Sequence, residues 1–181
     1  MSKAEADLRH DEPAVHIRSA EVRDIEEFRK LRLRALRDHP EAFESDYETH
    51  LTRGTEFWKH YLVLDASDAL FVGEDARGRL VGMAGVHLGG SPKSRHRALI
   101  WGVYVAPEWR QRGLAVQLLN RACEWARATG ATMAHLGVAT VNEPAIQLYK
   151  RLGFQIYAAE PMRLRVSGVY YDEHLMVKRF G

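Results

Sequence analysis

The segment that most restricts how this chain can fold runs from Ala98 to Leu119, "ALIWGVYVAPEWRQRGLAVQLL". Its opening stretch, "ALIWGVYV", is almost continuously apolar, which suits a central strand covered on both faces rather than an edge strand with one wet side. From Ala115 onward the apolar positions Leu118, Leu119, Ala122 and Ala126 recur at helical spacing, and Gly130 stands where a terminal glycine closes a helix. A short turn carrying Arg110, Arg112, Gly113 and Ala115 joins the two. A buried strand that runs directly into an amphipathic helix calls for a domain in which helices pack against a sheet.

The flanking sequence supplies the other layers. "HIRSA" reads as a short first strand and "EVRDIEEFRKLRLRALRDHP" as a helix with Ile25, Phe28, Leu31 and Leu36 on its apolar side, stopped near Pro40. A second helical piece is expected over "TEFWKHYLV". "ALFVGED" and "RLVGMAGVHL" are strand-like and separated by a turn containing Gly78, the pattern of a hairpin, and the basic "GGSPKSRHR" leads from them to the central strand. After the long helix come a strand, "MAHLGVAT", a short helix between Asn142 and Gly153 with Pro144 in its first turn, and two last strands, "FQIYAAE" and "EHLMVKRF", connected through "MRLRVSGVYYD". A length of 181 residues with 46% hydrophobic content fits one domain with a real core, expected over residues 15–181 behind a flexible tail over 1–14. That tail is polar, without the apolar run of a signal peptide or anchor. No apolar run approaches the roughly 20 residues that cross a bilayer, so no membrane partner is expected.

The 26 basic and 24 acidic residues nearly cancel, so anion recognition must be local, and a nucleic-acid partner is not expected. The single Cys123 excludes an internal disulfide and lies within a helical pattern, as a packed thiol in a reducing cytoplasm would. The histidines show no pair at helical i, i+4 spacing, which leaves a zinc site without support.

The turn before the long helix has the physical attributes of an anion cradle. A helix N-terminus presents unpaired amides and the positive end of the peptide dipoles. Gly113 frees the backbone and removes a side chain from the approach, Ala115 keeps the next turn low, and Arg110 and Arg112 add charge. The pattern Arg-x-x-Gly-x-Ala is neither a Walker loop nor the three-glycine dinucleotide fingerprint, and a tight turn with solvated arginines is its bland alternative.

Taken together, "VYVAPEWRQRGLA" (Val103–Ala115) and "NEPAIQLYKRLGF" (Asn142–Phe154) resemble the two signature segments of the GNAT acyltransferase superfamily, and the element order agrees from about Ile17 to Phe180. The resemblance implies a mixed α/β (α+β) fold: a mostly antiparallel twisted sheet flanked by helices, its central strands splayed to bind an acyl-CoA. It implies that acetyl-CoA is the cosubstrate, with its pyrophosphate at Arg110, Gln111, Arg112, Gly113, Leu114 and Ala115, and its pantetheine arm on the backbone of Val103, Tyr104 and Val105. Gly102 is placed either to permit a bulge there or simply to pack. Asn142 reads as a helix cap, and by the resemblance also contacts the cofactor arm or an ordered water. Relatives are often dimers, which leaves a homodimer open.

The implied reaction is direct attack of a primary amine on the thioester, without a metal. It requires a neutral amine, a stabilised oxyanion and a hydrogen-bond or proton donor for the departing sulfur. A lysine-like amine, with a pKa of about 10.4, is neutral in only about one molecule per thousand at pH 7.4, a handicap of roughly 4 kcal/mol. The resemblance assigns the donor to Tyr149, which on spacing alone shares a helical face with Ala145, Leu148 and Leu152 and reads equally as core. The chain departs from many relatives in its base: where a strand glutamate often stands, it has Leu99 and Trp101. His87, His135, Glu160 and Asp172 are candidates elsewhere, and the base stays unassigned. The amine acceptor, of unknown identity, is expected between the first two helices and the last strand connection, where "DHPEAFESDYE" and "SGVYYDE" offer acidic and aromatic groups. The basic "PKSRHR" loop is a candidate for the cofactor's terminal phosphate. The rival reading is a non-catalytic acyl-CoA sensor or scaffold.

Overall fold

The computed structural model describes residues 15–181, so the expectation for the tail lies outside the described residues. These residues form a seven-stranded sheet in the order β1-β2-β3-β4-β5-β7-β6, in which the β4–β5 pair is parallel and the other pairs antiparallel. The strands are β1 (His16–Ser19), β2 (Asp68–Glu74), β3 (Leu80–Leu88), β4 (Arg97–Val105), β5 (Met133–Ala139), β6 (Gln155–Val166) and β7 (Val169–Arg179). The helices are α1 (Ile25–Asp38), α2 (Tyr47–Leu51), α3 (Thr55–Lys59), α4 (Leu114–Ala128) and α5 (Glu143–Arg151). The mixed, mostly antiparallel sheet with flanking helices is the fold class expected.

The core follows from strand alternation. Gly82 and Gly85 lie on opposite faces of β3, since successive side chains alternate. Against Gly82 press Leu114 and Leu118 of α4; over Gly85 lies the indole of Trp101, filling the space a side chain would take. On that second face Phe28 of α1, Trp58 of α3 and Tyr61 form an aromatic cluster with ring centroids 5.5 to 6.1 Å apart, and Tyr61 continues it to Trp101 at 5.9 Å. Cys123 is buried in α4, and burial raises its thiol pKa, so it is a packed thiol and no nucleophile.

One half-buried ion group, built around the buried Asp24, ties the first strand to the start of α1. The Arg18 guanidinium donates to both carboxylate oxygens of Asp24, at 2.6 and 2.8 Å, and to Glu74 at 2.6 Å. Asp24 also accepts the Glu21 amide at 2.8 Å. In the β2–β3 hairpin, Asp75 accepts the amides of Arg77 and Arg79, and Gly78 takes the positive φ of 76° that the turn demands.

Two elements differ from expectation. The acidic run after α1 contains α2, started by the Asp46 side chain accepting the Thr49 amide at 2.8 Å. Residues 162–172, expected as a connection, are the outer arms of one long hairpin. β6 and β7 turn at Ser167 and Gly168, both at positive φ (48° and 87°), as the primed two-residue turns require.

Candidate functional site

β4 and β5 pair over three residues only: Arg97 with Met133, Ala98 with Ala134 and Leu99 with His135. Beyond that point the strands diverge. On the β3 side the ladder slips between Met83 and Gly85, where Gly102 adopts φ 65°, so of the two readings open for Gly102 the bulge is the one present. Pairing with β5 ends at Leu99, shortly before this bulge. From Ile100 onward the edge of β4 that faces β5 has no ladder partner among the described residues, and its backbone groups open onto a cavity of about 800 Å³.

α4 begins at the same cavity. Gly113 is its N-cap residue, in the left-handed region at φ 75°, and among the described residues no side chain caps the helix. A Cβ at Gly113 would meet nothing within 4 Å, so glycine is required here by backbone conformation and not by crowding. Gln111 is also left-handed, at φ 62°. Left-handed residues alternating with others turn successive amides inward, a concavity that suits an anion, and the helix dipole adds to it.

The sequence-predicted residues fall as follows. Val103, Tyr104, Val105, Arg110, Gln111, Gly113, Leu114, Ala115, Asn142 and Tyr149 all line the cavity. Arg112 does not; its guanidinium lies over the Trp109 ring at 5.1 Å. Arg110 is held rather than free: Nε donates to the Val105 carbonyl at 3.0 Å, and Nη2 lies 2.9 Å from His39 Nε2. It clamps the end of β4 to the corner after α1. Asn142 caps α5, its side-chain oxygen accepting the Ala145 amide at 3.3 Å. Tyr149 is buried edge-on to Phe154, and its hydroxyl has no protein partner among the described residues. Burial pushes the Tyr149 phenol up to about 12.

None of the base candidates lines the cavity. His87 pairs with Asp68 at 2.8 Å on the far side of β3, beside a separate small depression. His135 lies where β4 and β5 still pair, 3.2 Å from Arg97 Nε. Asp172 accepts the Met162 amide at 2.8 Å, and Glu160 stands 3.6 Å from Arg163. The corner after α1 does line the cavity, through His39, Glu41, Ala42 and Phe43, whereas the "PKSRHR" loop does not.

The carboxylate that sequence reasoning missed is Glu173. It sits on β7 opposite Ala139 and, like the other candidates, is not itself a lining residue of the cavity; its carboxyl lies across Gly137, which does line it, in the space a side chain at 137 would need. Burial raises the Glu173 pKa, against the opposing effect of Arg163, whose Nε is 3.6 Å away. An isolated glycine inside the strand pattern "MAHLGVAT" was the available signal, because such a glycine marks close approach by another group. Among the described residues, no group of three or more His, Cys, Asp or Glu side chains could hold a metal, and no helix is long and apolar enough to cross a membrane.

The model of the Acetyltransferase (GNAT) family matches residues 26–154. An uncharacterized N-acetyltransferase of Methanocaldococcus jannaschii is 30% identical over 141 residues, 77% of this chain and 60% of that protein. The chain spans 46% and 44% of the lengths of two other curated relatives, a streptothricin acetyltransferase of Streptomyces lavendulae and a mycothiol acetyltransferase of Thermobifida fusca. Among solved structures, an acetyltransferase from Streptococcus pneumoniae superimposes with a TM-score of 0.80 at 22% identity, over 92% of this chain and all of that one. A Salmonella typhimurium protein solved with its cofactor acetyl-CoA gives 0.78 at 23% identity, over 93% of this chain and 95% of that one.

Proposed function

The chain belongs to the GNAT acetyltransferase family, and on that premise we propose that residues 15–181 are one domain that moves an acetyl group from acetyl-CoA to a primary amine. The observation that carries this reading is the meeting, in one cavity, of the unpaired edge of β4 and the uncapped start of α4. The first suits the amides of a pantetheine arm, laid down as a further strand beside Val103, Tyr104 and Val105. The second suits a diphosphate, gathered by the amides of Leu114 and Ala115 behind Gly113. Asn142 and Tyr149 then flank the thioester end. The buried Cys123 suits a reducing, cytoplasmic setting.

In the proposed reaction the amine nitrogen attacks the thioester carbonyl, the carbon–sulfur bond breaks and the coenzyme leaves as its thiolate. Glu173 receives the proton that the nitrogen sheds. Tyr149 faces the sulfur. A phenol held near 12 does not hand its proton to a thiolate whose acid has a pKa of about 8.5. Its part is therefore a hydrogen bond to the sulfur as charge develops, with solvent protonating the thiolate afterwards. With Glu173 as the base, the missing strand glutamate no longer favours the rival sensor reading.

Calorimetry with coenzyme A and acetyl-CoA, followed by thiol release over a panel of amines, tests this function. Absence of heat with either coenzyme on folded protein overturns it. Tyr149→Phe is expected to lower kcat by roughly tenfold to a hundredfold, the worth of one hydrogen bond to a charged group, with unchanged acetyl-CoA affinity. An unchanged kcat removes Tyr149 from the reaction.

A further inference from the structure

Arg32 lies on the inner side of α1 and is 5% exposed. Its guanidinium stands 4.7 Å over the Phe43 ring, and Nη2 donates to the Ser45 hydroxyl at 3.2 Å. Nε and Nη1 are buried with no hydrogen-bond partner, and no carboxylate lies within ion-pair distance among the described residues. Nearby cations are differently placed: Arg34 is paired with Glu108 and Arg163 with Glu44, at 2.7 and 2.8 Å. A guanidinium does not shed its proton in a protein, so Arg32 is a fixed positive charge taken out of water and left with open donors. The face of Phe43 compensates it in part. The remaining counter-charge is not supplied by the described chain.

The place of this charge says where that counter-charge comes from. Phe43 and Gly102 both line the cavity, and Nη1 lies 3.5 Å from the point where a side chain at Gly102 would begin. Arg32 thus stands immediately behind the cavity wall at the β4 bulge, and glycine at 102 keeps the approach to it clear. The wall on this side is formed by the corner after α1, on the acceptor side of the proposed site.

We infer that Arg32 receives a carboxylate of the acceptor, so that the molecule acetylated is a small amino acid-type compound carrying its amine and its carboxylate together. This inference rests on the acetyl transfer proposed above. The carboxylate accepts from the open Nε and Nη1 donors and neutralises the buried charge, while the amine, at the other end of the same small molecule, is held toward the thioester. Binding at Arg32 therefore favours zwitterionic acceptors over polyamines and aminoglycosides, which bring only further positive charge.

The experiment uses the full chain with saturating acetyl-CoA and thiol detection. The acceptors are the common L-amino acids, the amide and the decarboxylated amine of each, a polyamine and an aminoglycoside. The best amino acid is expected to exceed its own amide and its decarboxylated amine in kcat/KM by at least about 30-fold. Arg32→Met is expected to bring that ratio close to one by raising KM for the carboxylate-bearing acceptor, and to melt no lower than the parent protein, since it removes an uncompensated charge. Arg32→Lys, which keeps the charge without the planar fork, is expected to retain part of the ratio. Thiol release without preference for the carboxylate, or a ratio that survives in both variants, overturns the role of Arg32 alone. No thiol release with any acceptor overturns acetyl transfer itself.

Discussion

With Glu173 replaced by glutamine, kcat at saturating acetyl-CoA and acceptor is expected to fall by about 10²–10⁴, the usual contribution of a positioned general base. The substitution keeps the shape that lies across Gly137 and removes only the ability to hold a proton, so the fold and the coenzyme affinity should be retained. The pH profile sharpens the test. Burial raises the Glu173 pKa, with Glu160 and Glu44 acting in the same direction and Arg163 against them. A carboxyl with a raised pKa is ionised, and so able to accept, only above that raised value. The acid limb of log kcat is therefore expected above the range of an ordinary carboxylate in the parent protein and should be absent from Glu173→Gln. A glutamine variant with parental kcat would return the base to an ordered water or to the acceptor itself.

The second large effect concerns stability. Arg18→Met is expected to destabilise the protein by about 3–5 kcal/mol, because it leaves the buried Asp24 carboxylate with a single amide partner. For a chain of this size that is a drop in Tm of roughly 6–20 °C, measurable by thermal or urea unfolding at neutral pH. The sign with pH follows from Asp24, whose pKa is lowered chiefly by its hydrogen bonds from Arg18. A lowered folded pKa means that this stabilisation is present above the unfolded value of about 3.9 and is lost as pH falls through the folded one. The gap between parent and variant should accordingly be full at neutral pH and narrow below about pH 4. A loss under about 1 kcal/mol would mean that the pair behaves like an exposed one.

The strand, turn and helix from Ala98 onward were legible in the sequence because each carries a local signal: an unbroken apolar run, a glycine with small neighbours, and a 3.6-residue stripe. The Asn142 cap and the Gly78 turn were legible for the same reason. α2 was not, since of its residues only His50 is buried and no apolar stripe announces it. Nor were the outer arms of the β6–β7 hairpin. Many of their residues are exposed, and their extent is set by cross-strand pairing and by the turn at Ser167 and Gly168 rather than by apolar alternation. Glu173 and Arg32 illustrate a further limit. Glu173 comes to lie over Gly137 because β7 pairs with β5, a juxtaposition produced by sheet order. Arg32 looks in sequence like one more cation on a basic helix, and it is the fold, through Phe43, Ser45 and the β4 bulge at Gly102, that takes it out of water.

The three-residue seam between β4 and β5 also bears on what holds the molecule together. The sheet consists of two leaves, β1 to β4 and β5 to β7, stitched at one margin and parted at the other. On the binding mode proposed above, a long amide-bearing molecule lying in that opening is at once a reactant and a missing rib, spanning from leaf to leaf where β4 and β5 of the described chain form no ladder. On that proposal the bound donor is expected to stiffen the sheet across the seam, read as slower amide hydrogen exchange in β4 and β5 with acetyl-CoA present than without it.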